Sequence, residues 1–218
     1  MLKAVLFDLD GTLLDTVPDI RARVNEVITA HGYPAITYEQ TCAYVGDGAE
    51  KLIERALPAG TPQAETDACY AQFRAIFATG GNALTRLFEG ELPVLTALRE
   101  RGLKLAIVTN KPQDATDHIV AEFFPAGLFD FVGGDSGAFP CKPDPSLARY
   151  AALTLRVSPA ECVFVGDGET DARVAQNAGM RGVSVLWGYR TREQLAAAGA
   201  TAFCEDFPAL QKFLEKSF

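Results

Sequence analysis

The side chains best equipped for chemistry lie in four short stretches. Asp8 and Asp10 flank Leu9 in DLDGTLLDT (8–16), and Thr109 and Asn110 follow the apolar run 103–108. Lys142 opens KPDP (142–145), and Asp167 and Asp171 lie in VGDGETD (165–171). Carboxylates, a hydroxyl and an ammonium in one place suit phosphoryl transfer. A phosphate monoester repels an incoming anion, and a magnesium ion shared by carboxylates and a phosphate oxygen removes much of that repulsion. Lys142 would stabilise the remaining charge as it shifts in the transition state. The Thr109 hydroxyl and nearby backbone N–H groups would hold the phosphoryl oxygens. Asp8 would attack phosphorus as a nucleophile. Asp10 would protonate the leaving alkoxide and then deprotonate the water that releases phosphate. Each residue also has an ordinary reading by itself. Asp-Gly after a strand is a common turn, and Asp171 suits a helix N-terminus. Thr109-Asn110 suits a strand-to-turn junction, and Lys142 a solvated loop.

These residues act together only if the fold gathers them. Ala4–Phe7 is a short apolar run that reads as a buried strand, and it places Asp8 and Asp10 at the strand's end. Gly11 permits a tight turn there. Helical patterns follow over 17–30, 38–44, 49–57 and 63–79, with Pro18 near the first helix start. Gly32, Pro34 and the Gly80-Gly81 pair mark turns. From residue 91 strands and helices alternate. Strands are expected at 103–108, 129–132, 162–165 and 183–187, with a short one at 202–203. Helices are expected at 91–101, 114–124, 146–155, 169–178 and 191–198, and from Phe207. The alternation predicts an α/β fold, a doubly wound and mostly parallel sheet with helices on both faces. Ligands of such sheets bind beyond the carboxyl ends of the strands, where the four stretches converge. The helical block interrupting the alternation reads as an insertion. The expected division is a core of 1–14 and 83–218 and a helical domain of 15–82.

Composition narrows the partners. The chain has 218 residues, 48% of them hydrophobic, enough for a sizeable core. Its net charge of −8 disfavours a nucleic-acid backbone. No apolar run approaches the ~20 residues of a membrane span, and no basic-then-apolar leader opens the chain. The expectation is a cytoplasmic protein, monomeric or homodimeric. Five scattered cysteines without a CxxC spacing suggest reduced thiols, not a disulfide framework or a zinc site. With two histidines, one of them at a helix end beside Gly32, a histidine-based site is not expected.

DLDGTLLDT, VTN (108–110), KPDP and VGDGETD resemble the four signature motifs of the haloacid dehalogenase-like hydrolases, in that family's order. The resemblance implies a Rossmann-like core, a helical cap closing over small substrates, an aspartyl-phosphate intermediate and Mg2+. It makes Asp8 the nucleophile, Asp10 the acid/base and Lys142 the charge-stabilising lysine. Thr109 becomes the phosphate-binding hydroxyl, with Asn110 beside it. The metal set it implies is Asp8, the Asp10 backbone carbonyl, Asp167 and Asp171. One departure is Gly168, where many relatives carry Ser.

YVGDGAEKLIERAL (44–57) and GYR (188–190) are similar to the phosphoglycolate phosphatase branch. Gly46 and Gly48 would let the cap loop approach the substrate. Lys51 and Arg55, four apart on one helix face, are candidates to meet a substrate carboxylate. Asp47 stands where relatives often have a neutral Asn, and an anion facing the substrate there would oppose such a ligand. The resulting expectation is a phosphatase for a small phosphomonoester such as 2-phosphoglycolate. The alternatives are a phosphosugar mutase of the β-phosphoglucomutase kind, or a phosphatase for a nucleotide, a hexose phosphate or pyrophosphate. A dehalogenase fits less well, because such enzymes typically lack the second aspartate of the first motif. A phospho-accepting receiver is shorter and has no helical insertion.

Overall fold

The computed structural model describes residues 1–79 and 81–216; of the expected Gly80-Gly81 turn, Gly80 lies outside the described residues. The first strand, β1 (Ala4–Phe7), is buried along its whole length. The chain then forms a two-residue strand, β2 (Leu14–Asp15), and four helices, α1 (Val17–Ala30), α2 (Tyr38–Tyr44), α3 (Ala49–Ala56) and α4 (Gln63–Thr79). It returns through β3 (Arg86–Leu87), which pairs antiparallel with β2 as Leu14↔Leu87 and Asp15↔Arg86. These two-residue strands are too short to leave a periodic signal in the sequence. Asp19 ties the same crossing: its Oδ2 accepts from the main chain of Leu84 and Thr85 at 3.0 and 2.6 Å.

The alternation then resumes with α5 (Glu91–Glu100), β4 (Lys104–Pro112), α6 (Gln113–Phe123), β5 (Phe131–Asp135) and α7 (Ser146–Thr154). It ends with β6 (Cys162–Gly166), α8 (Glu169–Ala178), β7 (Arg181–Val185), α9 (Arg192–Ala197), β8 (Phe203–Cys204) and α10 (Phe207–Glu215). The six-stranded sheet has the order β5-β4-β1-β6-β7-β8, and its strands pair in parallel throughout. Several boundaries differ from the sequence reading, among them β5, which runs Phe131–Asp135 instead of 129–132. β4 runs on through Thr109–Asn110 to Pro112, with a register shift after Val108. β7 starts two residues early, at Arg181-Gly182, a polar opening that apolar periodicity does not register.

Side-chain alternation explains why both sheet faces are dry. Val5, Phe7, Leu105, Ile107, Val163 and Val165 face one apolar cluster, which α5 and α10 help to cover. Ala4, Leu6, Ala106, Val108, Cys162 and Phe164 face the other, beneath α7 and α8. Helices α1–α4 gather a third cluster among themselves, with Ile20, Val24, Ile53 and Phe73 at its centre. β1 lies where the strand order reverses. Its last residue, Phe7, is level with Ile107 on one side and Val165 on the other. One step further, three strand ends open onto a single crevice.

Candidate active site

The crevice is roofed by α1, α3, α4 and the 45–48 loop. The space amounts to about 620 Å³, counting what is open to solvent. On its floor Asp8, Asp167 and Asp171 are each at most 7% exposed. Each offers a carboxylate oxygen within 4.8 Å of the others'. Lys142, also buried, places Nζ 2.7 Å from both Asp8 Oδ1 and Asp171 Oδ1. The expected residues of the four stretches are therefore together, although Lys142 lies beneath the pocket wall and not on its surface.

Local structure fixes each carboxylate. Asp8 N–H donates to Val165 O at 2.9 Å, the last rung between neighbouring strand ends. Asp171 sits in the first turn of α8, where its Oδ2 accepts from Gly168 N–H at 2.9 Å. Its helix-start role and its place in the acid cluster thus coexist. Asp167 accepts from the Thr12 hydroxyl at 3.1 Å and from Tyr189 N–H at 2.8 Å. Gly11, at φ +82°, passes so close that a Cβ there would meet Asp167 Oδ2 at 2.3 Å. Only glycine suits both that backbone and that approach.

The electrostatics follow from this crowding. Burial pushes the Asp167 carboxyl up to about 8, with Asp171 and Asp8 adding repulsion. Burial also raises Asp8, to about 6, and Asp171 adds to the shift while Lys142 opposes it. For Lys142, burial works against the ammonium, but Asp171 and Asp8 outweigh it and hold the group above its ordinary value. Three carboxylates thus converge, and one ammonium pairs with two of them. Hard oxygen donors in excess of their counter-charge fit a divalent cation such as Mg2+.

The remaining candidates separate. Thr109 is buried on the pocket wall, its Oγ1 accepting from Lys111 N–H at 3.2 Å. Asn110 also lines the pocket, but its side chain is committed. It donates to Gly46 O at 2.9 Å and Lys142 O at 3.1 Å, and accepts from Lys142 N–H at 2.7 Å. It acts as a strut between the cap loop and the lysine, leaving its main chain for a ligand. Gly46 and Gly48 line the pocket, while Lys51 and Arg55 do not. Lys51 pairs with Glu54 at 2.6 Å. Arg55 pairs with Asp47 at 2.5 Å and donates to Tyr44 O at 3.1 Å. Asp47 is thereby neutralised outside the pocket. His31, as a helix-end residue, bonds Glu65 at 2.7 Å and Gln72 at 2.9 Å.

The sequence reading gave no role to Lys111, and it singled out Tyr189 and Arg190 only as part of the GYR resemblance. Lys111 lies in the extended tail of β4, buried, with Nζ 2.8 Å from Asp10 Oδ1 and 4.7 Å from the Phe77 ring centre. An acid-rich site flanked by an unassigned lysine was the available clue. Tyr189 and Arg190 of the GYR stretch form a bridge. The Tyr189 hydroxyl accepts from Thr16 N–H and Val17 N–H at 2.8 and 3.1 Å. Arg190 pairs with Glu169 at 2.8 Å and donates to Val45 O at 2.7 Å and to Cys42 O.

Known proteins are similar to this chain in sequence and fold. A sequence profile of the haloacid dehalogenase-like hydrolases matches residues 5–185. The phosphoglycolate phosphatase of Vibrio parahaemolyticus is 36% identical over 205 residues, 90% of this chain and 89% of its own. The plasmid-borne phosphoglycolate phosphatase of Cupriavidus necator is 36% identical over 217 residues, 97% of this chain and 92% of its own. Among solved structures, CbbY from Rhodobacter sphaeroides in complex with phosphate superposes with a TM-score of 0.74 at 26% identity, covering 95% of each chain.

Proposed function

This chain belongs to the haloacid dehalogenase-like hydrolases, and from that membership we propose that it is a magnesium-dependent phosphatase for a small phosphomonoester, working through an aspartyl-phosphate on Asp8. The observation that carries the reading is the convergence of the Asp8, Asp167 and Asp171 carboxylates at the floor of one roofed pocket, with Lys142 bound to Asp8 and Asp171.

Asp8 is the group placed for attack. The Lys142 ammonium, 2.7 Å from its Oδ1, favours the ionised form that attacks. Its oxygen forms a bond to phosphorus while the bond from phosphorus to the ester oxygen breaks. Asp10 delivers a proton to that departing oxygen. Lys111, 2.8 Å away, balances the carboxylate that remains. In the second half-reaction Asp10 takes a proton from water, the water oxygen bonds to phosphorus, and the bond from phosphorus to Asp8 breaks. Inorganic phosphate leaves and the Asp8 carboxylate is restored. Thr109 and main-chain N–H groups at the end of β4 hold phosphoryl oxygens, and Lys142 offsets charge beside Asp8. The Asp8, Asp167 and Asp171 carboxylates and the Asp10 carbonyl would hold Mg2+, which supplies charge neutralisation at the phosphoryl oxygens. Residues 15–82 act as the cap, excluding water from a core made of 1–14 and 83–218. The names of the relatives make 2-phosphoglycolate the first substrate to test.

The test is phosphate release from a phosphomonoester panel, with magnesium and with chelator, beside Asp8→Ala. Magnesium-dependent release that Asp8→Ala abolishes while its circular dichroism spectrum is unchanged is the expected result. Retained turnover in Asp8→Ala would remove Asp8 as the nucleophile.

A further inference from the structure

The two ends of the pocket differ in chemistry. The floor holds the carboxylates. The roof is contributed by Ile20, Val45, Leu52, Phe73 and Phe77, all apolar. Phe73 and Phe77 pack with ring centroids 4.9 Å apart, a continuous aromatic wall beside Leu52. The basic side chains of the roof helices do not line the pocket, Arg21 being exposed. Lys51 holds Glu54, Arg55 holds Asp47, and Arg74 holds Asp114 at 3.2 Å. Arg23 donates to Ile76 O at 3.3 Å. The cations that do reach the pocket are matched as well: Lys111 by Asp10 and Arg190 by Glu169 and main-chain carbonyls of the roof. Among the described residues, the pocket-lining cations thus each have a partner, Lys111 in Asp10 and Arg190 in Glu169, and a second anion on the substrate would have to displace one of them. Otherwise it would lose its hydration against hydrocarbon, which is strongly unfavourable.

We propose that this site selects phosphomonoesters whose organic part is uncharged and presents an apolar, preferably planar, face, with Leu52, Phe73 and Phe77 setting that preference. The proposal rests on the phosphatase reading above and names its substrate class. The phosphate end is held on the floor as in any phosphomonoester. The rest of the substrate is recognised by aromatic packing and by exclusion of charge. 2-Phosphoglycolate is then a poor substrate, despite the names of the relatives.

The experiment compares kcat/KM for benzyl phosphate, 3-methylbutyl phosphate and 2-phosphoglycolate with magnesium. All three release an aliphatic alkoxide, so the comparison reads the pocket more than the leaving group. Benzyl phosphate should exceed 2-phosphoglycolate by about tenfold or more, carried mainly by KM. Leu52→Lys, and in parallel Ala49→Lys at the half-buried start of α3, should shift the ratio toward 2-phosphoglycolate. Two positions are used because an ammonium at the buried Leu52 can itself disturb folding. Preference of the unaltered protein for 2-phosphoglycolate overturns the proposal and leaves the phosphatase intact. An unchanged ratio in a folded Ala49→Lys protein also counts against it. Release from none of the three, nor from p-nitrophenyl phosphate, overturns the phosphatase reading itself.

Discussion

Asp8 and Asp167 on the pocket floor and Glu91 at the start of α5 are all buried carboxyls held above their ordinary range, at about 6, about 8 and about 9. Their company differs. On the floor, burial is compounded by neighbouring carboxylates and opposed by Lys142 at Asp8 and by the Tyr189 main chain and Arg190 at Asp167. At Glu91 burial acts alone, apart from a small opposing effect of the Phe88 main chain. Apart from that main-chain neighbour no polar group meets the Glu91 oxygens among the described residues, and the residue is 1% exposed. Glu91 gains stability by staying protonated, and nothing nearby would change if it ionised. The floor acids have a second remedy, a cation shared among them. A raised carboxyl marks chemistry only where charges converge.

Three measurements sharpen or break this contrast. The largest effect belongs to Lys142→Met, which leaves the buried Asp8 and Asp171 without their cation. Turnover should fall about 10³-fold. Removing one partner of buried ion pairs should cost about 3–5 kcal/mol, a fall in Tm of roughly 10 °C. Added Mg2+ should recover part of that loss, and no recovery would show that the floor does not accept a cation in place of charge. The intermediate effect is ligand stabilisation of the unaltered chain. Mg2+ at a hundredfold excess over its Kd should add about 2.7 kcal/mol, and Asp167→Asn should remove most of the gain in a thermal scan. An equal gain in both proteins would place the cation elsewhere.

The smallest effect, and the one with a direction in pH, is Glu91→Leu. In the unfolded chain Glu91 loses its proton near 4.5, and in the folded chain near 9. Between those values the unfolded state binds fewer protons. Folding stability therefore falls as pH rises, by up to about 1.4 kcal/mol per pH unit. The leucine variant lacks that slope. Its advantage should be small at pH 5 and reach about 2 kcal/mol at pH 8, after allowance for relaxation. A stability difference independent of pH would mean that Glu91 is not kept neutral by burial, and the contrast with the floor acids would collapse.

Much of this was written locally in the chain. The α8 start and its Gly179 end, Pro18 in the first turn of α1, and Asp8 at the end of an apolar run each follow from neighbours a few residues away. The pattern of α3 also carried a message that the basic spacing obscured. Leu52, Ile53 and Ala56 define its buried face, which turns Lys51 and Arg55 outward. What local sequence does not encode is pairing across the fold. Lys111 meets Asp10 from 101 positions away, and Tyr189 meets Thr16 from 173. Those partners become neighbours only when β1 takes its place between β4 and β6, and Lys111 reaches Asp10 from β4 residues beyond the register shift.

The central position of β1 has one more consequence. Asp8 reaches the crevice because Ala4–Phe7 is locked to β4 and β6 by main-chain bonds on both edges. The aim of the reactive oxygen is thus inherited from a ladder of peptide groups that is indifferent to side-chain identity. Conservative exchanges among Val5, Leu6 and Phe7 would perturb packing but preserve that aim. Deleting any single residue from the strand would exchange its two faces and carry Leu9 to the place of Asp8, a change of parity that no repacking of the core can undo.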